Sequence, residues 1–187
     1  ADARNLTTRQ KKVAATRGQP NLMNLYKTFL ETHRLYLGQI LLKSKDFEDM
    51  EEVSELRETV YDSFGEKTIP VINANDALSK REIEEYDNDT IAAKTAVAIG
   101  ADFLIIYIAG KRNGGDVEHF HDMDPDAPDA RPIRAVYEVT DEVKSFAVEK
   151  TGGIITRGGY FSKNDAAEIT MRAGIPLVVA HVKYPID

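Results

Sequence analysis

The sequence predicts an α/β protein, a three-layer αβα sandwich built on a mostly parallel sheet. Three features carry that expectation. Short apolar runs of strand length recur at Leu35 to Leu42, Thr68 to Asn73, Phe103 to Ala109 and Ile175 to Val182. Segments of helical period lie between them, and strands joined by helical crossovers pair in parallel, with both faces of their sheet covered. Gly100 and Gly174 stand just past two of the helical segments, where a left-handed residue closes a helix.

Arg9 to Thr16 and then Asn21 to Thr32 have helical spacing, with Leu22, Leu25, Tyr26, Phe29 and Leu30 forming the expected core-facing stripe. This opening is also basic, with Arg4, Arg9, Lys11, Lys12 and Arg17, which is the composition of a targeting peptide; the apolar stripe favours solvated helix faces instead. Leu35 to Leu42 reads as a strand. The charged stretch Lys43 to Glu66 puts Phe47, Met50, Leu56, Val60 and Phe64 on one face of a helix. Thr68 to Asn73 is the second strand, Thr90 to Gly100 an Ala-rich helix and Phe103 to Ala109 the third strand. From Gly110 to Thr140 the pattern breaks at Gly114-Gly115, Pro125, Pro128 and Pro132, the mark of an irregular or hairpin excursion. Ala166 to Ala173 resumes helical spacing, and Ile175 to Val182 closes the series. No fixed-period repeat and no low-complexity tract divides the chain, so one domain with a functional loop region is the simplest organisation.

Composition narrows the chemistry. The 187 residues carry 24 Lys+Arg against 31 Asp+Glu, a formal charge of −7, and such an acidic balance disfavours a broad nucleic-acid surface. Cysteine is absent, which removes disulfides, thiolate metal sites and a Cys nucleophile together. No apolar run approaches the ~20 residues of a membrane-spanning helix.

Three polar constellations sit where this fold class binds ligands. In Val71-Ile72-Asn73-Ala74-Asn75-Asp76 an apolar strand runs into short polar side chains, and open parallel sheets bind ligands beyond the carboxyl ends of their strands; a plain turn or helix cap is the bland alternative. Asp87-Asn88-Asp89-Thr90 precedes the Ala-rich helix, whose N-terminus prefers an acidic or hydroxyl cap. Its carboxylates are also suited to hold Mg²⁺ indirectly or to orient a lysine beside a phosphate. Arg157-Gly158-Gly159-Tyr160-Phe161-Ser162-Lys163 pairs glycines, whose N–H groups approach an anion closely, with a cation at a helix start, although the glycine spacing is not that of a Walker A loop. His119, His121, Asp122 and Asp124 have ligand chemistry, but an HxH pair in an acidic loop is more often solvated, and no metal site is assigned.

In order, these motifs resemble the amino-acid kinase superfamily and, within it, the glutamate 5-kinase (gamma-glutamyl kinase) family. The resemblance rests on Ile69-Pro70-Val71-Ile72-Asn73-Ala74-Asn75-Asp76, Asp87-Asn88-Asp89-Thr90, Gly100-Ala101-Asp102-Phe103-Leu104 and Gly158-Gly159-Tyr160-Phe161-Ser162-Lys163. Gly18-Gln19-Pro20-Asn21, Gln39-Ile40-Leu41-Leu42, Asp124-Pro125 and Ala173-Gly174-Ile175-Pro176 extend it over nearly the whole chain. It implies an amino-acid kinase-like αβα fold and transfer of the ATP γ-phosphoryl to the side-chain carboxylate of glutamate, the opening step of proline biosynthesis, with Mg²⁺ accompanying the nucleotide. It further implies that Asp76 and Asn88, with Asn73 and Asp87 beside them, hold the amino acid and that Asp89 organises catalytic lysines. Lys163 then steadies the transferring phosphate, and Arg157, Gly158, Gly159, Tyr160, Phe161 and Ser162 form the nucleotide loop with it. Glutamate and ATP are the expected partners, with proline as a candidate feedback inhibitor, in a cytoplasmic assembly of identical chains without nucleic-acid or membrane partners. A non-catalytic relative that kept the amino-acid pocket, a pseudokinase or regulatory module, is the alternative from a different class.

Two departures bear on activity. The family's opening strand, with its phosphate loop and first lysine, and the Ser-Gly loop that follows do not occur in this chain, which starts at Ala1, so the kinase domain over 1–187 is expected to be N-terminally incomplete. The nucleotide-side Thr-Asp of the family is replaced by Ile108-Ala109, followed by Gly110-Lys111-Arg112. The 187-residue chain by itself is therefore expected to show little or no ATP-dependent phosphorylation of glutamate, because the γ-phosphate is held from one side only. A coupled ADP-release or hydroxamate assay with saturating Mg·ATP checks this. Robust turnover would point instead to Lys111 or Arg112 as a replacement clamp.

Overall fold

Residues 6–75, 87–108, 110–112, 115–117, 120–121, 128–129, 131–145 and 160–183 are described by a computed structural model. Contacts gather into two units, Ala1–Ile91 and Ala92–Asp187, and in each a pair of parallel strands carries the helices.

The first unit opens with α1 (Thr8–Thr32), started by a reciprocal cap: the Thr7 hydroxyl accepts from the Gln10 N–H at 3.3 Å, and the Thr7 N–H donates to Gln10 Oε1 at 2.9 Å. At its other end the Leu35 N–H donates to the Leu30 carbonyl and Arg34 takes a φ of 59°, a left-handed helix stop without glycine. Strand β1 (Tyr36–Leu42) follows, then a single 3-10 turn at Ser44–Phe47, helix α2 (Met50–Gly65) and strand β2 (Thr68–Ala74). β1 and β2 pair in parallel from Tyr36 opposite Thr68 to Leu42 opposite Ala74. Parallel neighbours cannot be joined by a tight turn, so α2 is the obligatory crossover. Met23, Leu30, Leu42, Leu56, Val60 and Ala74 form the buried apolar set.

Three sequence expectations change here. Arg9 to Thr16 and Asn21 to Thr32 are one continuous helix that runs through Gly18-Gln19-Pro20. An interior Pro costs a helix about 3 kcal/mol and an interior Gly about 1 kcal/mol relative to Ala, so local preference is overridden by packing. Of the expected stripe only Leu30 is buried, joined by Met23, while Leu22, Leu25, Tyr26 and Phe29 are exposed. A two-strand ladder, with strands ~4.8 Å apart, seats only a narrow strip of helix. Likewise α2 starts at Met50 and not at Lys43, because the Asp46 carboxylate accepts from the Lys43 N–H at 2.7 Å and Asp49 caps the helix from the Glu51 N–H at 2.9 Å. Leu56 and Val60 face inward, whereas Met50 and Phe64 are exposed.

In the second unit, β3 (Leu104–Ile108) and β8 (Leu177–His181) pair in parallel, Leu104 opposite Leu177 and Ile108 opposite His181. Helix α3 (Asn88–Ile99), which begins at the close of the first unit, places Ala93 against Ile106 and against Ala166 of α5 (Tyr160–Arg172), with Leu104, Ile169 and Leu177 around them. Alanines at two of the three central positions let the helices approach the strands closely. Both helices close on glycine: Gly100 at φ 67° with the Ala101 N–H on the Ala96 carbonyl, and Gly174 at φ 73° with the Ile175 N–H on the Thr170 carbonyl. Between β3 and α5 lie two short antiparallel pairs, β4 (Gly110–Arg112) with β5 (Gly115–Val117) and β6 (Phe120–His121) with β7 (Pro132–Ile133), and a short helix, α4 (Asp141–Ser145). Helix α5 starts at Tyr160, six residues ahead of the Ala166 that sequence spacing suggested, so Tyr160 to Ser162 lie in its first turn.

Charge ties α4 to α5. Lys144 Nζ lies 3.0 Å from the Glu168 carboxylate, which also accepts from Arg172 one turn further on. The hydrogen bond and charge of Lys144, helped by Arg172, outweigh desolvation and hold the Glu168 carboxyl below the usual carboxylate range. A carboxylate whose proton affinity is lower folded than unfolded stabilises above the unfolded pKa of about 4.3, and that contribution disappears as pH falls through the lower folded value. The melting temperature of Glu168→Gln is accordingly expected to lie below that of the unsubstituted protein at pH 7, with the gap closing as the pH is taken below about 4. A gap that stays constant across an acid titration would refute this.

Candidate functional site

The carboxyl end of the β1–β2 ladder gathers the polar groups of the first unit. β2 ends at Ala74, and the Asn75 N–H continues the ladder by donating to the Leu42 carbonyl at 2.9 Å. Just after β1, Ser44 is buried at the head of the 3-10 turn. Asn73 lies one residue short of the strand end, opposite Leu41, and its half-buried carboxamide is fixed at both ends. Its Oδ1 accepts from the Ala74 N–H at 2.9 Å, and its Nδ2 donates to Gln19 Oε1 of α1 at 3.0 Å. The ends of open parallel sheets are where this fold class receives ligands, and here two carboxamides converge on one.

The second motif falls at the start of α3. Asp87 is the cap: its Oδ1 accepts from the Asp89 N–H at 2.9 Å and its carbonyl from the Ile91 N–H at 3.2 Å. The helix therefore begins at Asn88, two residues ahead of Thr90, with Asn88 exposed and Asp89 half-buried in the first turn. Two carboxylates at the positive end of a helix dipole are electrostatically at rest there. Asp76 lies outside the described residues.

In the second unit, Lys163 is half-buried in the first turn of α5, followed by a half-buried Asn164 whose Nδ2 has no hydrogen-bond partner among the described residues. Arg157, Gly158 and Gly159 lie outside the described residues; Tyr160, Phe161 and Ser162 are placed by their backbone as the start of the helix. At the carboxyl end of β8 the buried His181 stands opposite Ile108, and its Nδ1 accepts from the Lys183 N–H at 3.2 Å. His119, Asp122 and Asp124 lie outside the described residues, and His121 is placed only as part of β6. Among the described residues no three acids or histidines are grouped to hold a metal, and no helix is long and apolar enough to cross a membrane.

Sequence reasoning singled out neither the hydrogen bond of Gln19 to Asn73 nor the burial of His181 at the end of β8. Gln19 lies 54 residues from Asn73, so no local pattern joins them. The signal that could have found it is the Gly18-Gln19-Pro20 triplet, unfavourable to a helix, within an otherwise helical stretch.

The profile of the Amino acid kinase family matches residues 1–181. A glutamate 5-kinase of Photorhabdus laumondii is 35% identical over 180 residues, covering 96% of this chain and 47% of the relative. One from Proteus mirabilis is 35% identical over 175 residues, 93% of this chain and 46% of the relative, and one from Dictyoglomus thermophilum is 34% identical over 171 residues, 91% and 43%. The chain thus spans less than half the length of these relatives. Parallel strand pairs joined by helical crossovers, polar groups gathered at the strand ends and a match over nearly all of its length together make this chain a member of the amino acid kinase family.

Proposed function

We propose that the protein phosphorylates the side-chain carboxylate of glutamate with ATP, forming γ-glutamyl phosphate. The observation that carries this reading is the fixed carboxamide of Asn73 at the carboxyl end of a parallel strand, in a chain similar to glutamate 5-kinases over most of its length. Short donors and acceptors held at strand ends suit the ammonium and carboxylate groups of an amino acid. Asn73, Asp76, Asp87 and Asn88 are assigned to glutamate, and Asp89 to orienting catalytic lysines. Lys163 is assigned to the transferring phosphoryl group, with Arg157, Gly158, Gly159, Tyr160, Phe161 and Ser162 on the nucleotide. Phosphoryl transfer asks a protein mainly for positioning and for charge placed where charge develops, which these residue types supply. Mg²⁺ is assigned to the nucleotide phosphates as Mg·ATP, where it would neutralise charge on the transferring group. Ile108, where the family's nucleotide-side hydroxyl would stand, favours a second reading, a relative that binds the amino acid without transferring phosphate.

Calorimetry with glutamate, aspartate and N-acetylglutamate tests the substrate. Glutamate is expected to bind most tightly, and preference for either competitor overturns the assignment. In the full-length protein Lys163→Ala is expected to lower kcat by about 10²–10³ while leaving glutamate affinity within about twofold, since a charge aimed at the transferring group acts chiefly in the transition state. Unchanged kcat would make Lys163 a surface cation.

A further inference from the structure

We infer that Gln19 belongs to the amino-acid site, fixing Asn73 through Oε1 and donating Nε2–H to a carboxylate oxygen of the bound amino acid. The inference deepens the reading of Asn73 as a substrate residue and rests on it. Asn73 Oδ1 accepts from the Ala74 N–H at 2.9 Å, which turns Asn73 Nδ2 toward Gln19; the Gln19 atom that accepts from it at 3.0 Å is therefore Oε1, and the other arm of Gln19 is its NH₂ group. That Nε2 is buried and has no hydrogen-bond partner among the described residues. A buried amide donor left without an acceptor is costly, and such a group in a native protein calls for a reason. Asn73 does not relieve it, because Asn73 meets Gln19 through its own donor, Nδ2, while its Oδ1 is turned to the Ala74 N–H.

The backbone around Gln19 supports the same conclusion. Gly18 and Pro20 flank it inside a 25-residue helix, and a Cβ added at Gly18 would meet nothing within 4 Å, so no close packing requires that glycine. Pro20 removes the N–H that would bond the Thr16 carbonyl and disfavours the helical conformation of Gln19 itself. A helix carried through two residues that disfavour it, where one side chain reaches a strand end, fits a position kept for binding more than for helix stability. The ligand chemistry follows from the donor: an NH₂ group alongside a second carboxamide presents N–H groups to an anionic oxygen, and a carboxylate is the acceptor that an amino acid brings.

The test is glutamate binding by calorimetry to the complete protein and to Gln19→Met, Gln19→Glu, Asn73→Ala and the Gln19→Met/Asn73→Ala double variant, with melting temperatures of each in the absence of ligand. Loss of a hydrogen bond to a charged group is expected to weaken glutamate binding roughly tenfold or more in Gln19→Met. Gln19→Glu, which keeps an acceptor for Asn73 but sets an anion against the carboxylate, should weaken it at least as much. The double variant should lose less than the product of the two single losses, because each residue holds the other. Glutamate affinity within twofold in both Gln19 variants, with Asn73→Ala weakened, overturns the role of Gln19 while leaving the site in place, even if melting temperatures fall. Unchanged affinity in Asn73→Ala, or no binding to the unsubstituted protein, overturns the substrate reading and this inference with it.

Discussion

Parallel pairing is the constraint on which the rest of this chain depends. A parallel ladder cannot be closed by a hairpin, so every such pair requires a crossover. In the first unit residues 43–67 between β1 and β2 are spent on the 3-10 turn and α2. In the second, β3 and β8 are sequence-distant neighbours, and the segment between them carries two antiparallel pairs, α4 and α5. Parallel strands also all end on one side, so the backbone groups and side chains beyond their carboxyl ends collect into a polar rim. Asn73, Asn75 and Ser44 at one ladder and His181 at the other are where they are for that reason.

Within that frame, helix ends are set by hydrogen bonds and not by hydrophobic pattern. Thr7, Asp49 and Asp87 each start a helix by accepting a backbone N–H that would otherwise lack a partner, and each moves the boundary from where apolar spacing alone would put it. The stops divide by unit. Gly100 and Gly174 take the left-handed conformation without strain, whereas Arg34 and Lys67 adopt it at φ 59° and 55° with a side chain attached. Such residues cost about 1–2 kcal/mol, which the tertiary contacts of β1 and β2 just beyond them must offset.

The same override explains α1. Its local sequence argues for a break at Gly18-Gln19-Pro20, but the helix continues because Met23 and Leu30, on the far side of the proline, are buried in the first unit. Continuity is what brings Gln19 to the end of β2. Had the helix ended at the proline, the half-buried carboxamide of Asn73 would keep one good partner, the Ala74 N–H, and lose its anchor at Nδ2.

The sequence by itself determined the alternation of strand and helix, the parallel class, the glycine stops at Gly100 and Gly174 and the strand run into Asn73, because each is written in residues adjacent along the chain: a run of β-branched residues, a period, a residue without Cβ. The ordered motifs also carried the family, since their sequence and spacing are properties of the chain and not of its shape. Only the tertiary structure decided which apolar residues of α1 and α2 are buried, since a stripe can be read from spacing but the width of the surface that receives it cannot. It likewise decided that α1 is continuous and that Asp87 is a helix cap. The union of Gln19 with Asn73 was beyond any local reading, because it joins residues 54 positions apart through a fold that had first to bring α1 alongside a strand.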